Sequence, residues 1–138
     1  MAKTTRGGRG RNKSPQGNKQ VGKLSSRVIA LLGLSQKQDQ PILLGASNIA
    51  HMQTKHPADY QKYGKYIPQI ISKPDYVRLN NKDGSIEYVK DFKINGEYVK
   101  VAVRTSGSGT LYARSVYFKV FHIFNRSVFV IQSHIIRL

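Results

Sequence analysis

The sequence predicts an α+β fold in which N-terminal helices precede a four- to five-stranded antiparallel sheet. Three observations carry this expectation. Apolar residues recur at helical spacing ahead of Pro74, turn signals punctuate β-branched and aromatic runs after it, and Pro74 separates the two patterns.

Val21, Leu24, Val28, Leu31 and Leu32 share one face of a helix expected over about 20–33, with Gly33 as its stop. Pro41-Ile42-Leu43-Leu44 fits either a strand or an extended entry into the next helix. Ser47 is a good N-cap, because its hydroxyl can accept a first-turn N–H, so a second helix is expected from Asn48 to His56, closed by Pro57. A third, over about 58–72, carries Tyr63, Tyr66, Ile67, Ile70 and Ile71 and bends near Pro68. Strands are then expected at Tyr76 to Asn80, Ser85 to Phe92, Glu97 to Thr105, Thr110 to Phe121 and Ser127 to Gln132. The turns between the first four are Asn81-Lys82-Asp83-Gly84, Asn95-Gly96 and Ser106-Gly107-Ser108-Gly109.

Residues 1–20 read as a disordered basic tail and 21–138 as one folded domain. The tail is Gly, Arg, Lys, Asn and Gln, with too little apolar surface to offset the entropy of ordering it. Through Arg27 the chain carries eight Lys or Arg and no acid. Removing those eight from the total of 23 leaves 15 basic residues against 7 acidic, so the body is itself +8 of the overall +16. Such a charge calls for a polyanion, since neutralising phosphates releases condensed counterions. Arg6-Gly7-Gly8-Arg9-Gly10-Arg11 is similar to RGG segments that hold RNA by charge and guanidinium stacking, which makes Arg6, Arg9, Arg11, Lys13 and Lys19 candidate nucleic-acid contacts.

Absent residue types exclude other classes. With no cysteine there is no disulfide and no thiolate metal site. No apolar run approaches the ~20 residues that cross a bilayer, and no hydrophobic segment follows the basic N-terminus as in a secretory signal. The expectation is a cytoplasmic protein without a membrane partner, with delivery to another cell or association with a virion left open.

Four pieces occur in an order that resembles the phage-encoded branch of the barnase–EndoU–colicin–RelE-like nucleases. They are His51-Met52-Gln53-Thr54-Lys55-His56-Pro57, Ile70-Ile71-Ser72-Lys73-Pro74-Asp75, Val99-Lys100-Val101-Ala102-Val103-Arg104 and Leu111-Tyr112-Ala113-Arg114-Ser115. The resemblance runs from about Val21 to Val120, leaving out the tail and the continuation beyond Val120. It implies helices followed by an antiparallel sheet, and metal-independent RNA cleavage without a cofactor in a toxin or phage effector. A toxin of this charge would also meet an acidic immunity or antitoxin protein.

Metal-free RNA cleavage uses the adjacent 2′-hydroxyl as nucleophile, so it needs a base, an acid and cations around the phosphate. His51 and His56 are the candidate proton carriers, His being the side chain that titrates near neutrality. Five residues apart, they stand about 140° apart on a helix and cannot face one point. His51 shares an exposed stripe with Lys55, a candidate phosphate contact, whereas His56 follows Met52 on the buried one. Their spacing is also poor for zinc, and no metal site is expected. His122 and His134 read as structural or incidental. If Arg104 lies opposite Tyr112, then Arg114 shares that face and Lys100 lies further along it, while Val99, Val101 and Val103 turn toward the helices. Arg104, Tyr112 and Arg114 would then form a phosphate cradle. Asp75 reads as a turn residue. Glu87 and Glu97 read as solvent-facing strand positions, with a base role, as a carboxylate has in barnase, as the alternative.

The leading reading is an endoribonuclease, with DNA not excluded as a ligand. Its rivals are a binding module that keeps the scaffold without chemistry, and a phage or ribosome-associated structural protein with a basic tail.

Overall fold

The computed structural model describes residues 18–92, 96–120 and 135–138. Chain order begins with β1 (Asn18–Lys23), α1 (Ser26–Leu32), β2 (Pro41–Gly45) and α2 (Ala46–Lys55). Next come α3 (Pro57–Tyr63), a 3₁₀ turn (Gly64–Tyr66) and α4 (Ile67–Ser72). The remaining strands are β3 (Tyr76–Leu79), β4 (Ile86–Phe92), β5 (Glu97–Thr105), β6 (Leu111–Val120) and β7 (Ile135–Arg137). They form one seven-stranded mixed sheet in the order β1-β2-β6-β5-β4-β3-β7.

The class is α+β, but two parts of the sequence expectation are corrected. The described residues open on a strand rather than a helix, and the sheet is neither four- to five-stranded nor wholly antiparallel. Val21 and Leu24 mimic a helical stripe for a different reason. The β1–β2 register shifts between Gln20 and Gly22, and Leu24 continues the extended pairing by donating its N–H to the Gln40 carbonyl at 2.9 Å. Gly22 lets this strand lie against α4, since a Cβ there would meet Ile71 Cγ2 at 2.7 Å. Asn18, Lys19 and Gln20, read as the end of the tail, are already paired in β1. The helix proper starts only at Ser26, where the Ser25 hydroxyl accepts the Val28 N–H at 3.1 Å, and it ends at Gly33 in the left-handed region (φ 65°).

Gly45, not Ser47, caps α2. Its N–H donates to Asn48 Oδ1 at 2.8 Å, so the third helical residue secures the cap and the helix begins at Ala46. The expected helix over 58–72 divides into α3, the 3₁₀ turn and α4, each α segment opening on a proline in its first turn. Gly84 (φ 74°) closes the β3–β4 turn and Gly109 (φ 91°) the β5–β6 turn, as the turn chemistry requires. β5 has the expected bounds. β7 was not foreseen, and the strand expected at Ser127 to Gln132 lies outside the described residues, as do His122 and His134.

The core lies between the helices and one face of the sheet. Met52, Tyr63, Ile67, Ile70 and Ile71 bury themselves against Val77, Ile86, Tyr88, Val99, Val101, Val103, Ala113 and Val116. Val99, Val101 and Val103 thus face the helices as expected. Glu87 and Glu97 do not face solvent; they are 3% and 6% exposed. Burial of a carboxylate requires partners, and both have them. Glu87 accepts from Arg78 Nε at 2.8 Å and Asn80 Nδ2 at 3.2 Å, with Lys100 Nζ at 3.3 Å. Glu97 accepts from the Tyr63 hydroxyl and from Lys62 Nζ, the latter at 3.2 Å.

The β5–β6 pair sets the geometry of the other sheet face. Arg104 lies opposite Tyr112, the expected register, but the ladder slips between Ala102 and Val103. Ala102 faces Ser115 and Val103 faces Ala113, so Arg114 is a bulge residue without a partner across the ladder. Beyond the bulge the phase of β6 reverses. Leu111 and Ala113 point into the core ahead of it, Val116 after it, and Tyr112 and Tyr117 share the outer face despite their odd spacing.

Candidate nucleic-acid cleft

Parallel pairing of β2 with β6 brings the two halves of the site together. Leu43 is the register partner of Tyr112, and two residues later Gly45 ends β2 and starts α2. The first two turns of α2 therefore stand beside the start of β6. Between them lies a cleft of about 660 Å³, in which His51, Asn48 and Ser47 face Tyr112 and Arg114. Ser106, from the β5–β6 turn, and Asn18, from the first position of β1, complete the rim.

The electrostatics favour an anion. Among the described residues no carboxylate lines this cleft, and neither His51 nor Arg114 has one within ion-pair distance. Arg114 is exposed because a bulge residue has no neighbour across the ladder to lie against, which leaves its guanidinium free to fork onto a phosphate. His51 is likewise exposed on α2, with Lys55 one turn further along the same stripe. The N-terminal turn of α2 adds the positive end of a helix dipole on the Ser47 side.

The other sequence candidates stand elsewhere. His56 caps the end of α2 and lies against Tyr117, with ring centroids 5.4 Å apart and Nδ1 3.9 Å from the Asp59 carboxylate. It does not line the His51 cleft, as the helical spacing required. Arg104 shares the outer sheet face with Tyr112, but its guanidinium reaches Asp83 at 3.5 Å and is not part of the cleft lining. Hydrogen bonds from Ser85 hold the Asp83 carboxyl below the usual carboxylate range, with the Arg104 charge acting in the same direction. Lys100 is engaged twice, by Glu87 and by the Tyr117 ring, 4.6 Å from its centroid. Lys19 lies on the opposite flank of α2, in a second hollow with Gln53, Tyr60 and Lys65. Arg6, Arg9, Arg11 and Lys13 lie outside the described residues.

Asp75 ties β3 to β4 by accepting the Asp91 N–H at 2.8 Å, a structural role close to the expected one. The Tyr88 hydroxyl has no hydrogen-bond partner among the described residues, and burial pushes its ionisation up, so it is no proton carrier near neutrality. Asn18, Ser47, Asn48 and Ser106 were not among the site residues the sequence suggested. Asn48 alone had a local signal, three residues before His51 on the same helix; the others depend on the parallel β2–β6 contact.

Neither curated proteins nor solved structures yield a match to the chain. A family model does, over residues 19–120, which span β1 to β6 and include every described residue of the cleft except Asn18. No described helix is long and apolar enough to cross a membrane. With the two motif-bearing elements converged on a cationic cleft and the match covering most of its length, the chain belongs to the phage-Barnase-EndoU-ColicinE5/D-RelE like nuclease3 family.

Proposed function

We propose that this nuclease-family protein is a metal-independent endoribonuclease with His51, Tyr112 and Arg114 at its reacting centre. The observation that carries the reading is the convergence of the His51 helix and the Tyr112–Arg114 strand on one cleft whose described lining contains no carboxylate. One histidine without a carboxylate is a poor ligand set for a divalent ion, while Arg114 and the α2 N-terminus suit a phosphate diester.

In this scheme Arg114 grips the non-bridging phosphate oxygens, and the 2′-hydroxyl of the preceding ribose attacks phosphorus. His51 takes the hydroxyl proton. The bond to the 5′-oxygen breaks as a proton is delivered to it, with the Tyr112 phenol as the nearby O–H donor. The products are a 2′,3′-cyclic phosphate and a 5′-hydroxyl, and His51 returns the proton to the phenolate. Requirement of the 2′-hydroxyl selects RNA over DNA. His56 and Arg104 contribute from outside this centre, His56 through the Tyr117 stack and Arg104 through charge on the same sheet face. The cationic rim also suits an acidic immunity or antitoxin protein, which would compete with RNA for it.

The test is incubation of the protein with total RNA in EDTA, followed by chemical mapping of the cut ends. Cyclic phosphate and 5′-hydroxyl termini that vanish in His51→Ala are expected. Cleavage that requires added metal would overturn the scheme, and binding without cleavage would favour a scaffold that has kept its ligand but not its chemistry.

A further inference from the structure

α2 has a second polar flank. Gln53 stands two residues from His51, about 200° round the helix, so it faces away from the His51 cleft. There it borders a hollow of about 680 Å³ between α2, α3 and β1, within the size range of small-ligand sites. Val21 and Leu44, both buried, form its floor. Lys19 and Lys65 bring positive charge to it, and among the described residues no carboxylate lines it or pairs with either lysine. Lys65 lies over the Tyr66 ring, 5.3 Å from its centroid. The amides of Gln53 and Gln61 add groups that both donate and accept. Tyr60 is partly buried against the core and borders the hollow, and no ring stacks on it among the described residues, whereas Tyr63 and Tyr66 both pack on Phe92. Gly64 seats that ring. The backbone there is helical (φ −55°), a conformation that alanine favours, yet a Cβ would meet Tyr60 Cε1 at 2.8 Å. The glycine serves the position of the ring and not a turn.

We propose that this hollow binds a nucleotide, with the base against Tyr60 and the phosphate at Lys19 and Lys65. Two lysines without a carboxylate call for an anion. An inorganic anion would leave the ring and the apolar floor unused, and an apolar ligand would leave the lysines unanswered. A phosphorylated base satisfies both: its face stacks on the phenol ring, and its edge offers donors and acceptors to Gln53 and Gln61. The chemistry is the same for a nucleotide within an RNA strand and for a free one. Asn18 and Lys19 are consecutive in β1 and pair with Gly45 and Leu44, so their side chains take opposite faces of the sheet. The hollow is thus separate from the His51 cleft, and its ligand does not depend on the ribonuclease reading.

The experiment titrates adenosine 5′-monophosphate and uridine 5′-monophosphate calorimetrically into the full-length protein in a His51→Ala, Arg114→Ala background, which disables the cleft. Adenosine and inorganic phosphate are the comparison probes. Adenosine 5′-monophosphate should bind more tightly than either of them. Lys19→Gln combined with Lys65→Gln should weaken both mononucleotides about tenfold and leave adenosine unchanged. Tyr60→Leu should weaken them by about the same factor, and Tyr60→Phe should retain them because the ring remains. Gly64→Ala should act like Tyr60→Leu, since the new methyl group displaces the ring. Both lysines are exposed, so their variant tests the site even if Tyr60→Leu fails to fold. No mononucleotide binding, binding no tighter than inorganic phosphate, or affinity indifferent to the lysine variant would each overturn the site. A saturating oligoribonucleotide of about 12 nucleotides then identifies the source. Displacement of the mononucleotide makes the natural occupant part of an RNA strand, and undiminished binding makes it a free nucleotide. If the parent chain cleaves no RNA while these losses hold, the ribonuclease reading fails and the nucleotide site stands.

Discussion

Arg114 is placed by what the sheet cannot do with it. The β5–β6 ladder pairs the residues on either side and leaves this one over, so its guanidinium is exposed at the cleft without a competing carboxylate among the described residues. Arg114→Ala should therefore cost about 2–4 kcal/mol of transition-state stabilisation, the scale of losing one preorganised donor. Arg114→Lys should recover little, because an ammonium lacks the planar fork. Arg104, committed to Asp83 and outside the cleft, should give a smaller effect that adds to that of Arg114 in the double variant; strong coupling in the kinetic cycle would put both on one phosphate. His51→Ala should lower cleavage by roughly 10²-fold or more with an unchanged melting temperature, since the side chain is exposed. Asp83 supplies a pH test. Its folded carboxyl titrates below the unfolded one, so its contribution is present above about pH 4 and is lost as pH falls through the folded value. Melting temperatures of wild type and Asp83→Asn should accordingly differ at pH 6 and converge toward pH 2.

Elements depend on a few contacts that cross between them. Gly22 allows β1 to approach α4, and Gly22→Ala should destabilise by about 1–3 kcal/mol, because Ile71 blocks the new methyl group. Glu87 ties β3, β4 and β5 through Arg78 and Lys100. Glu87→Ala should cost about 3 kcal/mol, the low end for breaking a buried pair, because both cations retain some access to water. Chemical denaturation measures both. These same contacts explain what the sequence disclosed. The β4–β5–β6 meander was legible from its Gly turns and alternating valines, whereas Arg104 opposite Tyr112 was a register the sequence held only as a condition; it is set by Ser106 donating its N–H to the Thr110 carbonyl, one residue beyond the expected turn. β1 was not legible, because a slipped register followed by a turn reproduces helical spacing at Val21 and Leu24. Parallel pairing of β2 with β6 joins residues about 70 positions apart and leaves no local trace. His51, Tyr112 and Arg114 could be chosen by type and motif, but their convergence depends on that pairing. Glu87 and Glu97 read as exposed because alternation reports which face a residue takes and not whether partners cover it.

At the scale of the molecule, charge is sorted. Asp39, Asp59, Asp75, Asp83, Glu87 and Glu97 each sit beside a basic side chain, leaving Lys55 and Arg114 among the cations without a carboxylate in the described structure. Nucleic-acid affinity of the body alone should therefore remain salt-dependent after residues 1–17 are deleted, with a shallower log–log slope; a flat response would place all binding in the deleted residues. The bulge separates folding from that chemistry. If residue 114 is deleted, β6 reads Leu, Tyr, Ala, Ser, Val, Tyr, Phe, a strict alternation in which Ala113, Val116 and Phe118 keep their partners on β5. Such a chain should fold at least as well as the parent and cleave nothing. If Arg114 holds the phosphate as proposed, one codon separates an active protein from a silent one of the same fold, and selection against the activity has a route that leaves the sheet intact.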